Sequence, residues 1–404
     1  MSCVQFLTCL SLCAAMTTGA EVSATEPTPS DRPRAVELEK TLDHQTARLH
    51  ENPPIRFKKL FSIQATEGGG LKKLEFSPDG KTLAAGRWGG YAAADVTLWD
   101  LDTRKLLHVL PHATRMIGPI AFVPPGDRIV TAGTRLNKVF LWDTRSGKLL
   151  DTLDVGGAVD FAVTDLAAFP DGDRVICCAE TGLIVWDLKA KTHTKLSLDE
   201  HIPLVGLGAG ERPVTRYCHA VAFTADGSRF ATTVNRPYLA PRILLWDAKT
   251  CRVVRIIPKG IGNSCLAYAP DGTTVAADEY AGARADSKGF PGRDVNVWNT
   301  AGGKEVLTGN PFDYSVNDLA YTRDGKYLLI AGRHDDADAE VETGQRPPGG
   351  GVQIGVWDVA TGKLVNRVAP VASAPLRMAI SPDNKLLAVP GRNIDIYAIE
   401  YAGK

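Results

Sequence analysis

The 404-residue chain predicts an all-β protein made of one four-stranded unit repeated seven times. Two recurring phrases carry this expectation, together with the alternating apolar residues around them. The first is a turn phrase: Phe76-Ser-Pro-Asp-Gly80, Phe122-Val-Pro-Pro-Gly126, Phe169-Pro-Asp-Gly172, Phe223-Thr-Ala-Asp-Gly227, Tyr268-Ala-Pro-Asp-Gly272, Tyr321-Thr-Arg-Asp-Gly325 and Ile380-Ser-Pro-Asp-Asn384. Proline presets φ in such a turn, and Gly or Asn accepts the positive φ that follows. The second phrase comes later in each unit: Leu98-Trp-Asp100, Leu141-Trp-Asp143, Val185-Trp-Asp187, Leu245-Trp-Asp247, Val297-Trp-Asn299, Val356-Trp-Asp358 and Ile396-Tyr397. Runs such as Val96-Thr-Leu98 alternate as strands do, and a further turn and strand follow each Trp-Asp, as in residues 143–153. Four strands in each of seven repeats is the pattern of a β-propeller, expected over residues 55–404.

Taken in chain order, the first residues are expected to lie outside this fold. Val4 to Met16 is an uncharged apolar run, too short for the roughly 20 residues of a membrane helix. Small residues follow at Ala20 and Ala24, so residues 1–24 read as a signal peptide cleaved after one of them, which implies export to a periplasmic or extracellular space. No Lys or Arg precedes the run, and a buried N-terminal helix or an uncleaved anchor is the alternative. Residues 25–54 read as a linker and a short helix. Ala35, Leu38, Leu42 and Leu49 give a partial apolar stripe, and Pro53-Pro54 end it. The strand-like run Arg56 to Gln64 then precedes repeat one, while the last repeat ends soon after Tyr397 with no room for a fourth strand. The early strand is therefore expected to complete the last blade and remove an open edge.

These phrases resemble the WD-repeat family over about residues 55–404. The family's Gly-His dipeptide is absent, with only His112 near its place, and its second-strand serine is replaced by Ala85, Thr131 or Thr232. The resemblance thus implies an incomplete hydrogen-bonded tetrad. The six repeated tryptophans, one per unit, are expected to pack between neighbouring blades.

Composition sets further bounds. Lys+Arg and Asp+Glu are 46 each, so no net field gathers nucleic acid or an acidic membrane. Three of the eight cysteines fall in the leader. The remaining five, Cys177, Cys178, Cys218, Cys251 and Cys265, form no CxxC pair and read as buried apolar residues with room for one bridge.

Where the repeats depart from regularity, function is expected. The turn Gly or Asn lies 13–19 residues before the third-strand aromatic in five blades, but 26 and 32 residues before it in blades five and six. Between blades three and four, Trp186 to Phe223 spans 37 residues, against 23 from Trp99 to Phe122. These insertions are expected to crowd one face around blades four to six. Residues 333–351 carry Asp335, Asp336, Asp338, Glu340 and Glu342, but without the spacing or central Gly of an EF-hand, so neither a metal nor another cofactor is expected.

Second strands repeatedly end in arginine: Arg87, Arg135, Arg236, Arg333 and Arg392. Such forks can converge on a carboxylate, phosphate or sulfate. His334 adjoins one of them, and Trp88 and Tyr91 offer stacking area for a sugar or peptide. The alternative is that each arginine pairs with a neighbouring acid. No nucleophile elbow, phosphate loop, HExxH or dinucleotide fingerprint occurs. The sequence therefore points to a monomeric, non-catalytic binding propeller for a protein or anionic ligand such as a glycan. A secreted hydrolase or lactonase-like enzyme with its site at the axial mouth is the competing reading.

Overall fold

The computed structural model describes residues 53–402, apart from 65–69, 88–93, 113–116, 134–136, 157–162, 180–181, 197, 199–216, 237–238, 259–261, 286–290, 310–314, 335–350, 369–376 and 392. The chain divides into two units, Met1–Arg48 and Leu49–Lys404, and everything described belongs to the second. The expected leader and short helix lie outside the described residues.

The first strand, β1, is Ile55–Ile63. Blade 1 follows with β2 (Leu71–Phe76), β3 (Thr82–Arg87), β4 (Asp95–Asp100) and β5 (Leu106–Pro111). Blade 2 is β6 (Ile117–Val123), β7 (Arg128–Gly133), β8 (Lys138–Asp143) and β9 (Leu149–Asp154). Blade 3 is β10 (Val163–Ala168), β11 (Arg174–Ala179), β12 (Gly182–Asp187) and β13 (Thr192–Leu196). Blade 4 is β14 (Tyr217–Phe223), β15 (Arg229–Arg236), β16 (Leu239–Asp247) and β17 (Arg252–Ile257). Blade 5 is β18 (Gly262–Tyr268), β19 (Thr274–Ala285), β20 (Pro291–Asn299) and β21 (Glu305–Gly309). Blade 6 is β22 (Ser315–Tyr321), β23 (Tyr327–His334), β24 (Gly351–Asp358) and β25 (Lys363–Val368). Blade 7 is β26 (Ala379–Ile380), β27 (Leu386–Pro390) and β28 (Ile394–Tyr401), completed from the other end of the chain by β1. That last pairing runs antiparallel from Ile55 opposite Tyr401 to Ile63 opposite Ile394. The spare strand read from the sequence thus closes the ring.

Seven hydrophobic clusters fill the seven blade interfaces. Each takes one large ring from a third strand and seats it on strands of the preceding blade. Trp142 lies with Ala84, Val96 and Leu98 of blade 1, Trp186 with Val130 and Leu141 of blade 2, and Trp246 with Ile176 and Val185 of blade 3. Trp298 and Trp357 repeat this on blades 4 and 5, Tyr397 repeats it on blade 6, and Trp99 packs on Ile394 and Ile396 of blade 7. Burying one such side chain is worth roughly 1.5–3 kcal/mol, which makes these rings the main adhesive between blades.

Both phrases act as turn locks. The Asp after the Trp, or Asn299 in blade 5, folds back onto the turn that follows. Asp100 Oδ1 accepts from the Thr103 N–H and hydroxyl, Asp143 Oδ1 from those of Ser146, and Asp247 Oδ1 from those of Thr250. These bonds hold the three carboxyls below their ordinary range. In the first phrase, Asp79 accepts from the Ser77 hydroxyl and the Lys81 N–H, and Asp226 repeats this with Thr224 and Ser228.

The turn phrases also touch around the ring. Gly126 lies against Pro78, Gly227 against Pro170, Gly325 against Pro270 and Gly80 against Pro382. Gly227 has φ +65°, and a Cβ there would collide with the Pro170 ring. Where blade 7 has Asn384 instead of Gly, its side-chain oxygen accepts from the Arg323 N–H of blade 6.

In blade 2 three side chains form a partial version of the tetrad network. Trp142 Nε1 donates to Thr131 Oγ1 at 2.8 Å, and Thr131 Oγ1 lies 2.7 Å from His112 Nε2. His112 Nδ1 lies 2.9 Å from the Leu110 carbonyl, so Nδ1 carries the proton and Nε2 accepts from Thr131. The one bridge for which the sequence left room is Cys178–Cys218, between blades 3 and 4, while Cys177 and Cys265 are buried thiols.

Candidate functional site

Each blade is an antiparallel meander, so the two turn locks of a blade fall on one face. The connections between second and third strands, and those between blades, leave from the other face. On that face the blades are unequal. The second strands of blades 1, 2, 3 and 7 have five or six residues, whereas β15 has eight, β19 twelve and β23 eight. Their partners β16, β20 and β24 have nine, nine and eight residues, against six in β4, β8 and β12. At about 3.3 Å per residue, two to six extra residues lift these hairpins roughly 7–20 Å above their neighbours. At blade 5 the insertion read from the sequence thus continues the strands, and blade 4 has lengthened strands too, while residues 335–350 of the blade 6 insertion lie outside the described residues.

Of the arginines proposed for an anion site, Arg87 is described in full. It ends β3, is buried, and forks onto Asp95 at the start of β4: Nε donates to Oδ1 at 2.7 Å and Nη2 to Oδ2 at 3.0 Å. A bidentate pair of this kind ties the two strands together at the face. Arg236 ends β15, and Arg333 and His334 end β23, so the backbone brings them to the same face as Arg87. Trp88, Tyr91, Arg135 and Arg392 lie outside the described residues.

The first strands line the axis, those of blades 1 to 6 lying one against the next and that of blade 7 against blade 1. Three carboxylates there bond across a blade boundary. Glu75 accepts from the Phe122 N–H at 3.2 Å, Asp165 from that of Val221 at 3.0 Å and Asp318 from that of Met378 at 2.9 Å. Arg377 of blade 7 stands 3.7 Å from Asp318. Burial works against the charge of Arg377, but Cys265, Asp318, Asp165 and Asp278 more than restore it. Desolvation pushes the Glu75 carboxyl up to about 7, with Asp165 adding to it and Lys73 and the Phe122 N–H opposing, although the side chain is only half-buried. These groups were missed from the sequence. Part of their signal was a charged residue three places before the first residue of the turn phrase, at Lys73, Asp318 and Arg377. Among the described residues no group of three or more His, Cys, Asp or Glu is placed to hold a metal ion, and no helix is long and apolar enough to cross a membrane.

No family model matches the chain. It is similar to Autophagy-related protein 16 of Arabidopsis thaliana, 26% identical over 192 residues, which are 48% of this chain and 33% of that protein. It is 27% identical to WD repeat-containing protein 3 of Homo sapiens over 157 residues, 35% of this chain and 15% of that one. It is 31% identical to Small ribosomal subunit protein RACK1 of Brassica napus over 135 residues, 32% of this chain and 39% of that one. The chain thus spans well under two thirds of each relative's length. Seven blades, Trp-Asp turn locks in five of them, Trp-Asn in a sixth and these alignments support a divergent WD-repeat β-propeller.

Proposed function

We propose that the protein is a non-catalytic scaffold that holds a protein partner on the face raised by the hairpins of blades 4–6. The observation that carries this is the unequal hairpin length: a rigid ring presents three lifted hairpins on one side and none on the other. Proteins that bind through a fixed ring vary the projecting parts and keep the ring. The similarity to WD-repeat proteins supports the same reading. Arg236, Arg333 and His334 at the strand ends favour an acidic or otherwise anionic surface, glycan included, on the partner. Arg87 serves this face indirectly, by fixing β3 to β4. The protein acts as an exported monomer, and the Cys178–Cys218 bridge supports an oxidising compartment.

The test is capture from an envelope extract by the immobilised protein, in parallel with a variant in which residues 335–350 are replaced by a two-residue turn. A partner is retained by the intact chain and lost by the variant, with both unfolding at similar temperatures. Equal capture by the two would overturn the assignment of this face.

A further inference from the structure

The outermost strands differ in one respect that sets blade 3 apart. In six blades the ladder between third and fourth strand skips one residue beside the Trp or Tyr: Leu107, Leu150, Val254, Val306, Val365, and Leu60 in blade 7. Five of these six, all but Val365, are among the exposed large apolar side chains, from Leu107 at 42% to Val306 at 54%. Their exposure follows from the bulge and repeats around the ring, so it marks no single docking patch. A bulge in an edge strand twists it and blunts it as a template for further pairing. Blade 3 has no bulge. Its register runs unbroken from Leu183 opposite Leu196 to Asp187 opposite Thr192.

The side chains along this regular edge are polar. Thr192, His193, Thr194 and Lys195 are all exposed, as are Lys189 and Lys191 in the turn before them. Residues 188–196 contain no acid. Lys191 reaches Asp151 of blade 2 only at 3.8 Å with 71% of its side chain exposed, and Lys189 and Lys195 form no ion pair among the described residues. Asp187, the nearest acid in blade 3, is occupied in accepting the Lys189 and Ala190 N–H groups.

We propose that the free edge of β13 is a second interaction surface, which takes an acidic extended segment of a partner protein as a fifth strand of blade 3. The open N–H and C=O groups of an unbulged strand supply the pairing, and Lys191 and Lys195 select carboxylates opposite them. A second copy of this chain is the poorer occupant, because antiparallel self-pairing brings lysines together. Nucleic acid carries the right charge but offers no strand to pair. The surface is separate from the raised hairpins, so it stands or falls independently of them.

The probe is a synthetic ten-residue peptide alternating Glu with Val and Thr, compared with the same peptide carrying Lys for Glu. Binding to the full chain is read by fluorescence anisotropy at low salt, and β13 amide protection by hydrogen exchange. The Glu peptide binds and slows exchange along β13. The double substitution Lys191→Glu with Lys195→Glu weakens it roughly tenfold, the size expected for two reversed surface pairs. Inserting one Val between His193 and Thr194, which restores the bulge of the other blades, abolishes it without lowering the unfolding temperature. Absence of binding, equal binding of the Lys peptide, or binding that leaves β13 exchange unchanged would refute the surface. So would preference of the same lysines for an RNA homopolymer or anionic vesicles, or self-association that the lysine substitutions remove.

Discussion

On the turn face, the blades meet through a repeated set of contacts. At five of the seven junctions proline of one turn lies on glycine of the next, and an Asp closes each Trp-Asp turn. On the opposite face, the hairpins of blades 4, 5 and 6 differ from those of the other four blades and from one another. The contrast follows from what each face must satisfy. A turn wedged between two copies of itself has its geometry dictated on both sides, so the same residue types recur. A hairpin that projects into solvent answers to no neighbour and is free to diverge.

The largest effect expected from breaking this arrangement comes from the closure. A chain beginning at Ala65 lacks β1 and leaves β28 as an open edge. Because the ring then has no seventh complete blade, the loss approaches the whole 5–15 kcal/mol typical of a folded domain. Denaturant unfolding should show a much lower midpoint or lost cooperativity; superimposable curves would contradict closure by β1.

A smaller effect probes the network that distinguishes blade 2. Thr131→Val leaves Trp142 Nε1 and His112 Nε2 without their shared hydroxyl in a buried site, at a cost of about 2 kcal/mol. Thermal unfolding with the matched Thr131→Ser variant, which keeps the hydroxyl, separates the bond from the packing.

The axial staple of blades 1 and 2 should respond to pH. Glu75 has its folded pKa raised from 4.5 to about 7, so its contribution to stability is present below about pH 4.5 and is lost as pH rises through about 7. Glu75→Gln keeps an acceptor for the Phe122 N–H and removes the titration. The drop in stability between pH 5 and pH 8 should therefore shrink in the variant, and an unchanged pH profile would reject the role given to Glu75.

The smallest expected change is a gain. Trp298 is fully buried, and its Nε1 has no hydrogen-bond partner among the described residues, whereas in blade 4 Trp246 donates to Thr232 of the same blade. Ala277 occupies the place of Thr232 in blade 5, as its register opposite Asn296 shows. Ala277→Ser supplies the missing acceptor and should raise stability by about 1 kcal/mol. A lowered unfolding midpoint would mean that the site has no room for it.

The parts legible in the sequence are those imposed by repetition. Seven turn phrases, five Trp-Asp phrases and one Trp-Asn, with a spare strand before residue 65, suffice to place 28 strands and the closure. The tryptophans could be assigned to blade interfaces because one ring per repeat has one structural job. Features that depend on two distant residues were not legible. The Cys178–Cys218 pair spans 40 residues, and the Asp318 staple reaches 60 residues to Met378. The missing bulge of β13 leaves no motif, since a strand one residue out of step looks ordinary in one dimension. For the candidate site, sequence spacing located the longer connections but not their form as extended hairpins, and it could not tell that Arg87 is already engaged by Asp95.

The division of labour between the two faces can be measured in one paired experiment. Gly227→Ala strains the turn face, where φ is +65° and Pro170 lies against the glycine; replacement of residues 335–350 by a short turn alters only the other face. For each variant, unfolding midpoint and partner capture by the folded fraction are measured together. Gly227→Ala should lower stability by about 3 kcal/mol, given a left-handed backbone plus a steric clash, and leave capture intact. The shortened connection should do the reverse. Loss of capture in the first with loss of stability in the second would show that the faces do not divide the work this way.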